Sequence, residues 1–213
     1  LREQVGEGSR VVVIGGGFIG SEMAAALNLN HAEVTLIYPD AYLVERVFPP
    51  SLGRAMEENY RARGVRVLQG QQPVALERAG DRLAVLTDTQ ERIIADAVVI
   101  GIGLSPNVAL AQQAGLEVGN GIAVNRYGET SHPDLYAAGD VALFPYTALD
   151  WTTRVEHWDH ALNHGKCVGR NLAGAGEPYD YMPYFYSDLF EFGYEAVGDC
   201  SSRLQTYADW QKE

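Results

Sequence analysis

The sequence predicts an α/β protein with a parallel sheet, and three features near its start support this prediction. Residues 11–14 form an apolar run without alternation, as expected of a strand buried on both faces. A glycine-rich stretch follows it, and residues 21–30 are then interpreted as a helix. A second apolar run, residues 34–38, comes at the distance expected for the next strand of a strand-helix-strand unit.

The glycine-rich stretch contains Gly15, Gly17 and Gly20 in the spacing G-x-G-x-x-G. In this motif the first glycine permits a tight turn, the second lets the backbone approach a pyrophosphate, and the third lets helix and strand pack closely. The anion then lies at the helix N-terminus, where free N–H groups and the helix dipole favour it. Glycine-rich turns also merely connect strands to helices, but the flanking elements favour a dinucleotide site. A methyltransferase that binds S-adenosylmethionine is a weaker alternative.

The end of the second predicted strand indicates which nucleotide binds. An acidic residue there accepts hydrogen bonds from the adenosine ribose, whereas a basic residue suits the extra phosphate of NADP. Tyr38 holds the usual acidic position, Asp40 lies slightly later, and Arg46 is the first basic residue afterwards. These charges favour NAD over NADP, with the alternative that Asp40 is an ordinary turn residue after Pro39.

The next part of the chain is predicted as scaffold. Ser51 is predicted to cap a helix that runs to Arg63 and ends before Gly64. Its apolar face is predicted to consist of Leu52, Ala55, Met56 and Tyr60.

A β-rich insert is predicted after this helix. Residues 65–70 are predicted to form a third strand, and residues 75–77 and 83–88 a hairpin. Residues 92–103 are predicted to return as one strongly apolar strand. This insert departs from a simple alternation of strands and helices.

A second motif lies in the segment TSHPDLYAAGDVA. A short strand from Leu135 to Ala138 is predicted there, followed by Gly139 and Asp140. This order places a carboxylate at the C-terminal end of a strand, where open α/β sheets bind ligands. The alternative is that Asp140 only caps the next turn.

Composition limits the function classes. The 213 residues are 46% hydrophobic and carry a net charge of −12, which disfavours nucleic acid as a partner. No apolar stretch approaches the roughly 18 residues that a membrane span needs. Cys167 and Cys200 lie far apart without metal-type spacing, which fits a reducing compartment and excludes a redox cysteine pair in the first half. We expect a cytoplasmic protein, or an organellar one if the source is eukaryotic.

One helix near residue 160 carries two histidines, His157 and His160, at a spacing that also suits a metal. No third ligand is evident, so no metal site is predicted. Val155, Trp158 and Leu162 are predicted to form the apolar stripe of this helix, with Arg154 and Glu156 beside it and Trp158 in the core.

Several motifs together resemble a known family. GGGFIGSE, GIGLSPN and HPDLYAAGD are similar to motifs of the FAD-dependent pyridine nucleotide-disulfide oxidoreductases. RVEHWDHALNHGKCVGRNLAG and PYFYSDLFEFGYEAVG resemble, more narrowly, the apoptosis-inducing factor-like and ferredoxin reductase-like flavoproteins. The resemblance covers nearly the whole chain.

The resemblance implies roles at matching positions. The three motif glycines would hold the NAD pyrophosphate, Phe18 and Glu22 would border the nicotinamide, and Asp140 would contact FAD. Glu156, His157 and Tyr186 would lie near the flavin, and no side chain is required as acid or base in the hydride step. Phe18 is alternatively a packing residue, and Glu22 an acid in the first turn of its helix. The remaining expected cofactor contacts are Ile19, Tyr38, Asp40, Gly103 and Gly139.

The resemblance also implies a domain order. Residues 1–8 would be a linker, 9–103 an NAD-binding domain, 104–182 the second half of an FAD-binding domain, and 183–213 the start of an α+β C-terminal domain. Because the family's N-terminal FAD half has no counterpart in this sequence, we expect a fragment that binds NAD without binding FAD stably.

Two functions from different classes follow. The complete protein would transfer hydride from NAD(P)H through FAD to an acceptor, with a ferredoxin- or rubredoxin-type protein, a quinone and oxygen all open. Alternatively, it would be a redox-responsive interaction protein with little turnover, in which NADH changes partner binding. A homodimer is compatible with either function.

Overall fold

The computed structural model describes residues 5–209, so the first half of the predicted linker lies outside it. The chain divides into two compact units. The first contains the residues up to Gly103, Ser187–Tyr194 and the residues from Cys200 onward, and the second contains Leu104–Tyr186 and Glu195–Asp199. No helix within the described range is long and apolar enough to cross a membrane.

The first unit is built on a four-stranded parallel sheet and an inserted β-meander. In chain order the strands are β1 Arg10–Ile14, β2 Glu33–Tyr38, β3 Arg66–Gln69, β4 Pro73–Ala79, β5 Arg82–Thr87, β6 Arg92–Ala95 and β7 Ala97–Ile100. The parallel sheet has the order β3-β2-β1-β7, and the meander has the order β4-β5-β6. The predicted α/β class, with a parallel sheet and an inserted meander, is confirmed.

Both faces of β1 are buried, which explains why its sequence does not alternate. Val11 and Val13 pack in one hydrophobic cluster with Leu36. Val12 and Ile14 pack in another, which includes Val85 of the meander. The meander therefore covers the face of the parallel sheet opposite to the first cluster.

The predicted strand over residues 92–103 is wrong, because two strands occupy this segment. β6 pairs antiparallel with β5, whereas β7 pairs parallel with β1. The chain changes sheet at Asp96, whose Oδ2 accepts the backbone N–H of Arg10 at 2.8 Å. Asp96 also pairs with Arg82, at 3.1 Å between Oδ1 and Nε. Both arginines hold the pKa of Asp96 below its usual value, the hydrogen bond from the Arg10 backbone contributing most.

The two helices of the first unit begin earlier than predicted. α1 spans Phe18–Leu29 instead of residues 21–30. α2 spans Pro50–Ala62, with Pro49 at the N-cap and no side-chain cap, so the predicted cap at Ser51 is wrong. Proline fits the first helical position because its missing N–H has no intrahelical partner there. Ala55 is exposed, so it does not belong to the buried face.

The second unit contains a small four-stranded sheet and a long helix. Its elements are α3 Ala109–Gln113, β8 Val118–Gly119, β9 Gly121–Ala123, β10 Ala142–Tyr146, β11 Trp151–Thr153 and α4 Trp158–Leu172, and the sheet order is β11-β10-β9-β8. The predicted strand from Leu135 to Ala138 is wrong. Tyr136 there makes only an isolated bridge to Glu129.

The α4 helix buries a different face from the one predicted. Trp158 is 65% exposed and Leu162 is 37% exposed. Val155 and Glu156 precede the helix, which begins at Trp158. The buried face consists of His160, His164, Cys167, Val168 and Asn171.

A hairpin of β12 Tyr184–Leu189 and β13 Phe192–Val197 follows. Its residues are divided between the two units. A separate C-terminal domain from residue 183 stays a prediction.

Candidate functional site

The glycine turn after β1 is shaped by two close backbone contacts. Gly15 has a φ of +121°, and a Cβ built on it would lie 2.2 Å from the carbonyl oxygen of Gly101. A Cβ built on Gly20 would lie 1.9 Å from the carbonyl oxygen of Gly15. The turn therefore packs against the end of β7 and against the first turn of α1, and any larger residue would push these segments apart.

Gly17 differs from its neighbours because a Cβ built on it would meet no atom within 4 Å. It is the N-cap of α1 and has no side chain capping the helix. Within the described range, the amides of Phe18 and Ile19 have no protein acceptor. Free N–H groups at an uncapped helix N-terminus, beside an open glycine face, fit a diphosphate.

The Tyr38 side chain lies in the core instead of lining the ribose position. It is fully buried, and its hydroxyl donates to Oε1 of Glu57, a residue that is 3% exposed. Burial, with the carboxylate of Glu57 adding to it, raises the pKa of Tyr38 far above its usual value, so the hydroxyl stays a donor. The ring also lies behind the turn, since a Cβ on Gly16 would be 2.7 Å from Cγ of Tyr38. The Tyr38 side chain therefore lies outside the proposed site.

Asp40 lies in the loop that follows β2 and is partly exposed. The loop is closed by the carboxylate of Glu45, which accepts the backbone N–H of Ala41 at 3.0 Å. Arg46, the basic residue that follows, is exposed. The acidic residue expected to contact the adenosine ribose and the first basic residue after it thus both lie in this loop.

Phe18 and Glu22 have neighbours that the sequence did not reveal. The Phe18 ring stacks on Tyr194, with centroids 5.8 Å apart, and meets Phe48 edge-on at 6.4 Å. Ser187 donates its hydroxyl to the carboxylate of Glu22. Glu22 lies beyond the first turn of α1, so the interpretation of it as a first-turn acid is wrong. Ile19, 54% exposed, and Gly103, with a φ of +97°, lie at the surface.

In the second unit, Asp140 lies in a 3-10 turn, Gly139–Val141, with an exposed side chain. The Arg154 guanidinium donates from Nη1 to the Asp140 carbonyl at 2.8 Å and from Nε to Asn120 at 2.9 Å. The Arg154 side chain is only 7% exposed. A buried arginine therefore holds the backbone of this turn and leaves the Asp140 carboxylate to solvent or ligand.

Gly139 is held from its other side by a buried histidine. The Gly139 N–H donates to Nδ1 of His164 at 3.3 Å, which leaves the ring proton of the neutral histidine on Nε2. Neither Arg154 nor His164 is predicted from the sequence as a support of this turn, and their polar surroundings in the sequence do not single them out.

His157, Glu156 and Tyr186 are partly brought together. His157 caps α4, with its Nδ1 accepting the Asp159 N–H at 3.2 Å. Its Nε2 then donates to the Tyr186 carbonyl at 3.3 Å, and the two rings lie 5.1 Å apart. Glu156 instead forms an ion pair with Arg154.

His160 does not join His157 in a ligand pair. It is fully buried, its Nδ1 lies 3.1 Å from the Tyr179 hydroxyl, and its ring stacks on Phe144. Burial lowers the pKa of His160 and of His164 to about 4, so both are neutral near pH 7. Within the described residues, no three His, Cys, Asp or Glu side chains come together as a metal site would require.

The fold and the glycine turn together define a class. A parallel sheet in the order β3-β2-β1-β7, with the uncapped α1 helix starting at the β1 turn, is the architecture of a dinucleotide-binding α/β protein.

Comparison with known proteins gives the family. The model of the pyridine nucleotide-disulphide oxidoreductase family matches residues 1–165. The chain belongs to this family, and the resemblance seen in its motifs is confirmed.

Two curated relatives illustrate the similarity. A chloroplastic monodehydroascorbate reductase of Oryza sativa is 41% identical over 198 residues, covering 90% of this chain and 40% of that protein. Putidaredoxin reductase of Pseudomonas putida is 38% identical over 201 residues, covering 93% of this chain and 48% of that protein.

Among solved structures, the covalent complex of putidaredoxin reductase and putidaredoxin matches with a TM-score of 0.86 and 39% identity, over 92% of this chain and 48% of the matched chain. The chain thus spans less than half the length of these relatives.

Proposed function

We propose that the whole protein is a flavoprotein oxidoreductase that takes hydride from NADH onto FAD and passes the electrons to an acceptor protein. Family membership and the names of the relatives support this activity. The observation that carries it is the uncapped N-terminus of α1 beside the open face of Gly17. FAD, when bound, supplies a hydride acceptor that releases electrons singly or in pairs.

The first unit would bind the nicotinamide nucleotide. The amides at the start of α1 would donate to the diphosphate, and the Asp40 carboxylate would accept from the adenosine ribose, which favours NADH over NADPH. Phe18 would orient the nicotinamide ring, backed by Tyr194 and Phe48. Glu22 would be held beside it by Ser187. Positioning of this kind carries most of the catalysis, because hydride transfer needs no acid or base from the protein.

The second unit would contact FAD. Asp140 would approach the ribityl and diphosphate region from the turn that Arg154 and His164 support. His157 and Tyr186, which are in ring contact, would lie near the flavin. Glu156, paired with Arg154, would lie at the same place.

The acceptor is proposed to be a ferredoxin-type protein. The solved structure of a reductase bound to putidaredoxin supports this choice. Reduction of monodehydroascorbate, named for the plant relatives, is the second acceptor to assay. A homodimer and the cytoplasmic or organellar compartment stay predictions.

Calorimetry on this chain tests the nucleotide site. NADH is expected to bind more tightly than NADPH, and ADP-ribose is expected to raise the melting temperature, since it carries the diphosphate and the adenosine. If neither coenzyme releases heat and ADP-ribose gives no protection, the proposal fails.

A glycine variant tests the same site without disturbing the fold. Gly17→Ala should lower the melting temperature of the free protein by only a few degrees, because alanine is a poorer N-cap than glycine but φ is −85° and the added methyl meets no protein atom. It should weaken NADH binding by roughly 10-fold or more, because the methyl occupies the diphosphate position. Gly6→Ala is the matched control, since its Cβ also meets nothing within 4 Å. Wild-type affinity in Gly17→Ala would contradict the proposal.

A further inference from the structure

Val44, in the loop after β2, has a backbone conformation that its side chain disfavours. Its φ is +55°, and among the described residues it is the one β-branched residue in this left-handed region. A branched Cβ crowds the neighbouring carbonyl there, so such a conformation persists only where surrounding contacts impose it. Val44 is also 4% exposed, within the main core of the first unit.

The conformation lets both polar groups of the Val44 backbone make contacts. Its N–H donates to the carbonyl oxygen of Gly16 at 2.8 Å. Its own carbonyl accepts the N–H groups of Val47 and Phe48, each at 2.9 Å. Val44 therefore ties the loop that carries Asp40 to the glycine turn, and it also anchors Phe48, the edge-on neighbour of Phe18.

The contact with Gly16 fixes the direction of the next amide. The Gly16 carbonyl and the Gly17 N–H belong to one planar trans peptide, so they point in opposite directions. When Val44 holds the carbonyl, the Gly17 N–H is aimed away from the loop. The Tyr38 ring also confines the Gly16–Gly17 peptide, because it packs so closely on Gly16 that no Cβ would fit there.

We propose that Val44 is a positioning residue for nucleotide binding. Its backbone N–H holds the Gly16–Gly17 peptide so that the Gly17 N–H is aimed at the diphosphate. This inference rests on the proposed nucleotide site in the first unit. A buried aliphatic residue thus contributes to the affinity for the coenzyme through its backbone alone.

Replacing the Leu43–Val44 amide by an ester tests this role, because it removes the N–H and keeps the side chain. The dissociation constants of NADH and ADP-ribose are expected to rise by roughly 3- to 10-fold, as for the loss of one hydrogen bond. Val44→Ala keeps the N–H and loses packing, so it should lower the melting temperature and leave both constants within about 2-fold of wild type.

The matched control is an ester at Gln90, which also has a positive φ and donates its N–H to a backbone carbonyl, that of Thr87. It should not change either constant. An ester at Val44 that binds like wild type, or a Val44→Ala variant that loses as much affinity as the ester, overturns the inference. If the wild-type chain itself binds neither ligand, the proposed function fails as well, so the two failures are distinguishable.

A measurement on the wild-type chain keeps the inference testable even if the ester variant does not fold. Because coupling between two sites is reciprocal, NADH should slow hydrogen exchange at the Val44 amide, and more than at the Gln90 amide. Equal exchange of the Val44 amide with and without saturating NADH overturns the inference.

Discussion

At the scale of single residues, the three glycines of the G-x-G-x-x-G motif are present for different physical reasons. Gly15 and Gly20 are required by backbone contacts within the protein, whereas Gly17 has an open face, where the proposed diphosphate site lies. The motif spacing marks all three positions, although the backbone of the protein itself demands glycine only at Gly15 and Gly20. Tyr38 shows the limit of such reasoning. Its position at the end of a strand suggests a ribose contact, but the partner of its hydroxyl, Glu57, comes from a distant helix.

Removing the Tyr38 hydroxyl should therefore affect stability and not affinity. Tyr38→Phe leaves Oε1 of the buried Glu57 carboxylate without its donor, while Oε2 keeps Arg61, and this is expected to cost about 1–3 kcal/mol of unfolding free energy. The dissociation constant of NADH should stay unchanged. Urea unfolding and calorimetry measure the two quantities, with Tyr207→Phe, at a tyrosine that is 94% exposed, as the control. If Tyr38→Phe weakened NADH binding and left stability unchanged, the Tyr38 hydroxyl would contact the adenosine ribose after all.

At the scale of elements, α4 shows why a hydrophobic stripe can mislead. The sequence favours Trp158 and Leu162 as the buried face, yet the helix buries two histidines and an asparagine. Each of these polar side chains has a tertiary partner. Asn171, for example, donates to the Tyr127 carbonyl at 2.9 Å and accepts the Glu177 N–H at 2.8 Å. A periodicity argument cannot anticipate such partners, because they lie far along the chain or in loops.

Two glycines, one within α4 and one just after its end, should respond oppositely to substitution by alanine. Gly169 is exposed within the helix and a Cβ there meets nothing, so Gly169→Ala should stabilise the protein by about 0.5–1 kcal/mol. Gly174 follows the helix with a φ of +88°, so Gly174→Ala should cost about 1–2 kcal/mol. Thermal melting of both variants checks the pair. A stabilising Gly174→Ala would mean that the helix does not end as the structure shows.

At the scale of the whole molecule, the chain carries two compact units with cores of different character. The first is mainly aliphatic and lies on both faces of the parallel sheet. The second is aromatic, with His160, His164, Phe144 and Tyr179 in mutual ring contact. Two neutral histidines at its centre make this core sensitive to acid.

Stability should fall as the pH drops from about 6.5 toward 4. The folded-state pKa of each histidine, about 4, lies below its unfolded value, so the unfolded state binds more protons in this interval. The contribution of each neutral histidine to the free energy of unfolding is fully present above pH 6.5. By pH 5 about 1–2 kcal/mol of it is lost per histidine. Urea unfolding at pH 7 and pH 5 measures the loss.

His31→Asn, at an exposed histidine, is the matched control variant. The ring protons of His160 and His164 give a direct check by NMR. Titration of either ring near pH 6.5 in the folded protein would contradict the assignment of the acid sensitivity to this core.

The sequence by itself determined the α/β class with a parallel sheet and the inserted β-rich segment, and the resemblance of its motifs identified the family. The class follows from local rules, because backbone freedom at glycine and apolar runs without alternation act within a few residues. Only the tertiary structure decided that residues 92–103 form two strands, that α4 buries histidines, and that Val44 and Arg154 hold the two turns. Each of these depends on a hydrogen bond or a contact between residues distant in the chain, and composition and spacing carry no record of such pairs.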